Sequence, residues 1–252
     1  MAVAGLLVVS GDSGLAQRLW PGDSLREPAT HAPSYDGRFM FARVKYTSGP
    51  GGYYYRGLPA WAHGYVPSSE GDRAELNLTR ILKEVSYLNP HIDESGVFAL
   101  DDPELFKYPI AYLTEPGFWT MSDQEAAGLR AYLLKGGFII FDDFRTFHNQ
   151  NLFDQMQHVL PEAVWQPLDL SHPIFHSFFE IKTLDVDSYY GHAQWLGIFE
   201  DNDPQKRLIA VANSNHDLGE YWEFSDTGYM PVDLSNDAYK FGVNYVVYGM
   251  TH

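Results

Sequence analysis

The stretch GGFIIFDDF, residues 136–144, contains a pair of glycines typical of a helix end and the most apolar strand pattern of the protein. The two glycines can end a helix, because glycine adopts the left-handed backbone conformation at little cost. The four apolar residues Phe138–Phe141 show no polar alternation, which is typical of a strand covered on both faces. Asp142 and Asp143 follow at once. The stretch therefore predicts a buried strand that carries two carboxylates at its end.

A helix is predicted directly before this strand. Ser122-Asp123-Gln124-Glu125 has the pattern of a capping box, in which the serine hydroxyl and the glutamate side chain each bind the other residue's backbone amide. Apolar residues continue at helical spacing to Leu134, where the two glycines follow. This segment predicts one α-then-β unit.

Further strands and helices alternate along the chain. Strands are predicted at 38–46, 97–100, 108–113, 196–199 and 208–212, and helices at 72–88, 151–160 and 235–250. Alternation of this kind predicts a mostly parallel sheet of five or more strands with helices on both faces, and therefore an α/β fold. Residues 1–37 are predicted to be an irregular lead-in, and 38–252 a single α/β domain.

Composition excludes several classes of function. The chain has 252 residues and a formal charge of −16, which argues against binding to nucleic acid or to anionic membranes. It contains no cysteine, so disulfides, zinc–thiolate sites and cysteine nucleophiles are excluded. No stretch reaches the roughly 20 apolar residues of a membrane span.

The N-terminus allows two interpretations of location. Met1–Val9 is apolar, and small residues at Gly14 and Ala16 resemble the cleavage site of a secretory leader, which predicts a periplasmic or secreted protein. A leader normally begins with basic residues, and this one lacks them. The alternative is an ordinary start and a cytoplasmic protein.

The predicted sheet brings polar residues together at one edge. Ligands of open parallel sheets bind outside the carboxyl ends of the strands, where the connecting loops meet. The candidates for catalysis there are Asp142, Asp143, Glu115 and His216, and the candidates for ligand binding are Trp119, Asp217, Glu220 and Trp222. Each also has a structural alternative: an aspartate can cap a turn, a tryptophan can cover the core, and the 213–224 loop can be a polar surface.

No cofactor is predicted, and metal binding is a secondary expectation. Asp142, Asp143 and Asp217 are the metal candidates, and oxygen ligands such as these favour Mg²⁺ or Ca²⁺ over zinc. His172 and His176 have the spacing of a helical metal pair, but Pro173 opposes a shared helix face.

Several long motifs identify a family resemblance. RFMFARVKYTSG (38–49), LRAYLLKGGFIIFDDF (129–144), SHPIFHSFFEI (171–181) and AYKFGVNYVVYGMTH (238–252) resemble the bacterial family called domain of unknown function 4159. The resemblance spans Arg38 to His252. It implies no particular reaction.

This family is similar in turn to class I glutamine amidotransferase-like domains, including the trehalose-utilisation type. That similarity implies a flavodoxin-like three-layer sandwich, with Asp142-Asp143 at the elbow where true amidotransferases carry their cysteine. Since the chain has no cysteine, only the fold and the position of the pocket carry over.

Two functional hypotheses follow. The first is a non-catalytic module of the bacterial cell envelope that binds a small polar ligand or a partner protein. The alternative is a carboxylate- or divalent-metal-dependent hydrolase that acts on a small polar or carbohydrate-like substrate, with Asp142 or Asp143 as a base or a metal ligand.

Overall fold

The computed structural model describes residues 29–54, 57–65, 73–188 and 191–252. In these ranges the strands are β1 (Ala42–Lys45), β2 (Thr47–Ser48), β3 (Gly96–Ala99), β4 (Ile110–Thr114), β5 (Trp119–Thr120), β6 (Phe138–Phe144), β7 (Gln166–Pro167), β8 (Asp187–Ser188), β9 (Gly191–His192), β10 (Gln194–Phe199) and β11 (Leu208–Ser214). The helices are α1 (Arg73–Val85), α2 (Asp123–Leu134), α3 (Asn149–Val159), α4 (Leu218–Glu223) and α5 (Val232–Thr251).

The centre of the molecule is a seven-stranded sheet in the order β3-β1-β4-β6-β11-β10-β7. The pairs from β3 to β11 are parallel, whereas β10 is antiparallel to both β11 and β7. The prediction of an α/β fold with a mostly parallel sheet is therefore confirmed. The strand predicted at 196–199 exists, but its direction is reversed. β2 pairs with β5, and β8 with β9, in two small separate ladders.

Strand β6 lies in the middle of this sheet and is buried along its whole length. Its side chains divide between two hydrophobic cores: Phe138 and Ile140 belong to one, and Ile139 and Phe141 to the other. Successive side chains of a strand point to opposite faces, so the two cores lie on the two sides of the sheet. Helices α2 and α3 contribute to the core of Ile139, and α1, α4 and α5 to the core of Phe138.

The capping box before α2 forms as predicted. The Ser122 hydroxyl accepts a hydrogen bond from the Glu125 amide, and the Glu125 carboxylate accepts one from the Ser122 amide. At the other end, Gly136 has φ 111°, a conformation that a residue with a Cβ rarely adopts. The chain is thereby turned from α2 into β6.

The structure changes some predicted boundaries. The strand expected at 38–46 is only Ala42–Lys45, and Phe39, Met40 and Phe41 are buried without strand pairing. The last helix begins three residues earlier than predicted, at Val232. Among the described residues, no helix is both long and apolar enough to span a bilayer. The predicted leader lies outside the described residues.

Candidate functional site

Three neighbouring strands deliver ionisable side chains to one point at the carboxyl edge of the sheet. Glu115 follows β4, Asp143 is near the end of β6, and His63 lies in the connection after β1 and β2. His63 Nδ1 is 2.7 Å from Asp143 Oδ2 and 3.5 Å from Glu115 Oε1. These three residues are called the carboxyl-edge cluster below. Because β1, β4 and β6 are adjacent, the topology of the sheet brings them together.

The backbone at this edge is strained. Glu115 has φ 53° and Asp143 has φ 56°, both in the left-handed region. This conformation costs a residue with a Cβ about 1–2 kcal/mol. Hydrogen bonds from neighbouring strands hold it, since the Glu115 amide donates to the Asp142 carbonyl and the Asp143 amide to the His216 carbonyl.

A buried arginine of β1 holds the His63 loop. Arg43 donates to the carbonyls of Trp61 and His63 at 3.0 and 2.9 Å, and it pairs with Glu75 of α1. Trp61 is the middle residue of the short helix Ala60–Ala62, and its side chain is completely buried. Arg43 and the buried Trp61 therefore anchor the loop to the sheet, which fixes the position of the His63 imidazole.

Further groups surround the cluster. The Tyr54 hydroxyl donates to Glu115 Oε1, and the Tyr54 ring stacks on the His63 ring at 4.7 Å. Arg145 lies 3.5 Å from the second oxygen of Asp143. The two carboxylate side chains are each only 5% exposed, whereas the His63 side chain is 43% exposed. The imidazole is thus the part of the cluster that meets solvent.

The charges of the cluster depend on one another. Burial raises the pKa of Glu115, and the Asp143 charge raises it further. Burial also opposes ionisation of Asp143, but hydrogen bonds and charges from His63, together with Arg145 and Asp217, hold its pKa below the usual value. Burial disfavours the His63 cation, yet hydrogen bonds to Asp143 and Glu115 raise the pKa of His63 to about 11. At neutral pH the cluster therefore holds an imidazolium.

Asp142, the other residue of the pair, has a different environment. It is fully buried and accepts three hydrogen bonds: from the Tyr112 hydroxyl at 2.8 Å, the Asn213 amide at 3.0 Å and the Gly219 backbone at 2.9 Å. Burial raises its pKa to about 6, and these bonds limit the rise. Asn213 in turn accepts from the Tyr245 hydroxyl. Asp142 therefore links β4, β6, β11 and the start of α4.

Comparison with protein families gives a match over residues 41–250, to the family described as a domain of unknown function, DUF4159. The chain belongs to this family. The predicted membership is thus confirmed, and the matched residues of the DUF4159 domain include the whole carboxyl-edge cluster. No curated protein matches the chain.

The structure brings Asp217 of the DUF4159 domain to the edge of the cluster. Its Oδ1 accepts from the Glu220 amide at 2.8 Å, which caps α4. Burial, followed by the charges of Asp143 and Asp142, raises the pKa of Asp217 well above its ordinary value. Asp217 therefore combines a capping role with contact to the cluster. Among the residues that the structure describes, the Glu220 side chain makes no hydrogen bond that could assign it a role in binding.

His216 lies beside the cluster without joining it. Its carbonyl accepts from the Asp143 amide, while its imidazole lies among Trp195 and Tyr221. Burial alone lowers the pKa of His216 to about 4, so the ring is neutral. His216 therefore supports the cluster through its backbone carbonyl, and its ring does not contact a carboxylate of the cluster.

The two tryptophans proposed as ligand contacts lie in the core instead. Trp119 is completely buried and contacts Phe141 at a ring distance of 5.7 Å. Trp222 is 1% exposed and contacts Phe41 and Tyr112. Both rings are closed off from solvent and pack on aromatic side chains of the central sheet, Phe141 of β6 and Tyr112 of β4, so they belong to the core.

The histidines of the HPIFH segment take separate partners. His172 Nδ1 accepts from the Ile174 amide, while His176 contacts Glu180 and the Leu170 carbonyl. Within the described residues, the one group of three side chains arranged to hold a metal ion is His63, Glu115 and Asp143, whose donor atoms all lie within 4.8 Å of one another.

Sequence reasoning missed His63, Tyr54 and Arg145. Tyr54 lies in the glycine- and tyrosine-rich segment GPGGYYYRG (49–57), and His63 follows it. This connection leaves the carboxyl end of β1, so position could have identified both residues. The chain has ten histidines, and no sequence motif distinguishes His63 from the other nine. Its role depends on how far the loop folds back over β4 and β6.

Proposed function

We propose that the DUF4159 domain is a ligand-binding module of amidotransferase-like architecture, whose binding site is the carboxyl-edge cluster. The observation that supports it best is the close contact of two buried carboxylates with a half-exposed imidazole, at the edge where open parallel sheets bind ligands. The ligand is a small polar molecule or ion that the carboxylates attract. An envelope protein that presents such a group is the corresponding partner.

The flavodoxin-like part of this proposal is supported by strand order. Counted along the parallel part of the sheet, β3-β1-β4-β6-β11 has the 2-1-3-4-5 order of flavodoxin-like sheets. Asp143 also has φ 56° near the end of β6, shortly before the short helix Thr146–His148, and so resembles the strained residue of a nucleophile elbow. An aspartate there cannot replace a cysteine in glutamine hydrolysis, which favours binding over that catalysis.

Thermal-shift screening tests the proposal. Chelator-treated protein would be heated with separate panels of amines, sugars and small carboxylic acids, and a ligand at 100 times its Kd should stabilise the native state by about 2.7 kcal/mol. The shift should disappear in His63→Gln. It should remain in His91→Gln, because His91 lies between Asp36 and Glu94 outside the cluster. Equal shifts in both variants would contradict the proposed site.

One observation favours the hydrolase alternative as a second candidate. Asp143 holds His63 through Nδ1, which leaves Nε2 of a half-exposed ring able to exchange protons with a substrate or water. Purified protein would be assayed with nitrophenyl esters, phosphates and glycosides, with and without divalent ions. Turnover that His63→Gln abolishes and His91→Gln retains would replace the binding module by a hydrolase.

The location remains a proposal as well. A periplasmic or secreted protein is supported by the apolar run Met1–Val9 and the small residues after it. Fusion of residues 1–37 to a reporter that is active only after export tests this, and an inactive exported reporter would favour the cytoplasm.

A further inference from the structure

We infer that the carboxyl-edge cluster is a divalent metal site, with His63 Nδ1, one oxygen of Glu115 and one oxygen of Asp143 as its protein ligands. This inference rests on the proposed function, since the ion would occupy the same site. It specifies the ligand as a transition ion such as Mn²⁺ or Zn²⁺.

The first argument is the separation of the donor atoms. Bonds of about 2.1 Å to one ion hold neighbouring donors about 3.0 Å apart in octahedral geometry and about 3.4 Å apart in tetrahedral geometry. The distances from His63 Nδ1 to the two carboxylates are 2.7 and 3.5 Å, which lie on either side of these values. The two carboxylate donor atoms lie within 4.8 Å of each other, so an approach of these two side chains around an ion would complete the site.

The second argument is that all three ligands face one point from different, anchored elements. Glu115 and Asp143 are held by backbone hydrogen bonds at the ends of adjacent strands, and Arg43 holds the His63 loop. Metal ligands are commonly oriented by such outer contacts. Tyr54, stacked on His63 and bonded to Glu115, orients two ligands at once.

The third argument is access. Three protein ligands leave at least one coordination position for water or a further ligand, as in catalytic zinc sites. The exposed His63 side chain lies on the solvent side of two buried carboxylates, so an ion can enter past the imidazole. The chain's net charge of −16 also raises the local concentration of cations.

The imidazole decides the class of ion. The metal candidates from the sequence, Asp142, Asp143 and Asp217, were all carboxylates and therefore favoured Mg²⁺ or Ca²⁺. One nitrogen and two oxygen donors fit Mn²⁺ or Zn²⁺ better, because imidazole is a poor ligand for the hard alkaline-earth ions.

His91 provides a matched control on the same chain. It also lies between two carboxylates, but Nε2 faces Asp36 at 3.1 Å and Nδ1 faces Glu94 at 3.1 Å. Opposite nitrogens of one ring cannot bind the same ion. His91→Gln therefore removes a histidine with two acidic neighbours and should leave metal binding unchanged.

Mn²⁺ titration followed by electron paramagnetic resonance tests the inference. The full-length, chelator-treated protein should bind one Mn²⁺ per chain, and Zn²⁺ should displace it. His63→Gln, Glu115→Gln and Asp143→Asn should each weaken binding by about tenfold or more, while His91→Gln should bind as the wild type does. Thermal unfolding of every variant confirms that it is folded. Pulsed spectra of the wild type should show one imidazole nitrogen coupled to Mn²⁺, which does not depend on any variant.

Three results would overturn the inference: no stoichiometric binding of Mn²⁺ or Zn²⁺, binding that all three cluster variants retain, or binding that needs the carboxylates but shows no coupled nitrogen. The organic-ligand screen separates this failure from that of the binding module. If organic ligands still stabilise the wild type through His63 while metals do not, the proposed binding module is retained and the metal site is rejected. If neither organic ligands nor metals bind, both proposals are rejected.

Discussion

Asp142 and Asp143 are neighbours in sequence, both buried, and their environments differ in kind. Neutral donors surround Asp142: a tyrosine hydroxyl, an asparagine amide and a backbone amide. Ionisable groups surround Asp143: His63, Glu115, Arg145 and Asp217. Asp142 is therefore bonded to the scaffold of the sheet, and Asp143 to groups that can exchange a proton or an ion.

This difference shows that burial alone does not mark a functional carboxylate. A buried charge that accepts hydrogen bonds from every side has no capacity left for a ligand. A buried charge beside a half-exposed imidazole and a second carboxylate can instead bind a ligand without breaking hydrogen bonds that hold the sheet together. Four predictions test this division between an anchor and a binding group.

The largest effect is expected from Asp142→Asn. The new amide would point a donor at groups that already donate, and each unsatisfied buried group costs about 1–3 kcal/mol. We expect a loss of about 3 kcal/mol in the free energy of unfolding, which lowers Tm by roughly 6–12 °C for a chain of this size. Urea unfolding measures the change. A variant as stable as the wild type would remove the anchor role.

Asp143→Asn should change stability by less than about 1 kcal/mol. Asparagine tolerates the left-handed conformation and can still accept from His63. Its effect should appear with metal: at Mn²⁺ of 100 times Kd the wild type gains about 2.7 kcal/mol, and this gain should be lost. Thermal unfolding with and without Mn²⁺ measures both quantities. A large loss of stability without metal would show that Asp143 has the same structural role as Asp142.

Glu115→Gly should stabilise the protein while weakening metal binding. Glycine relieves the strain at φ 53° and removes a buried carboxylate, and we expect a gain of about 0.5–1 kcal/mol after the greater entropy of the unfolded chain is deducted. Asp201→Gly is the control, because Asp201 also has φ 53° but an exposed side chain. If only Asp201→Gly increased the free energy of unfolding, the backbone strain and the buried carboxylate at Glu115 would not destabilise the protein.

The smallest effect concerns Glu223 of α4. Burial, together with the charges of Glu75 and Glu220, raises its pKa from 4.5 to about 7, although His63 and Arg43 lower it. Between these values the folded state keeps a proton that the unfolded state has lost, so the stability of the wild type should fall as pH rises from 4.5 to 7. Glu223→Gln lacks this titration and should become relatively more stable over the same range. Parallel Tm profiles of the two proteins would contradict the shift.

The sequence predicted the central strand, the capping box and the parallel sheet because each depends on local patterns. Phe138–Phe141 has no polar residue, and Ser122 and Glu125 are only one helical turn apart. The different environments of Asp142 and Asp143 follow the same local rule, because successive strand residues point to opposite sides. The ends of the first strand and the last helix were less accurate, since local patterns do not fix where pairing stops.

The sequence by itself determined the class of fold and the edge of the sheet that collects acidic residues. Only the tertiary structure decided which aspartate is the anchor, because Tyr112 and Asn213 reach Asp142 from β4 and β11, far away in the chain. It also buried Trp119 and Trp222 and brought His63 onto Asp143, across 80 positions of sequence. Contacts between strands that are neighbours in the sheet but distant in sequence leave no periodic pattern, so the composition of the site depends on the folded chain.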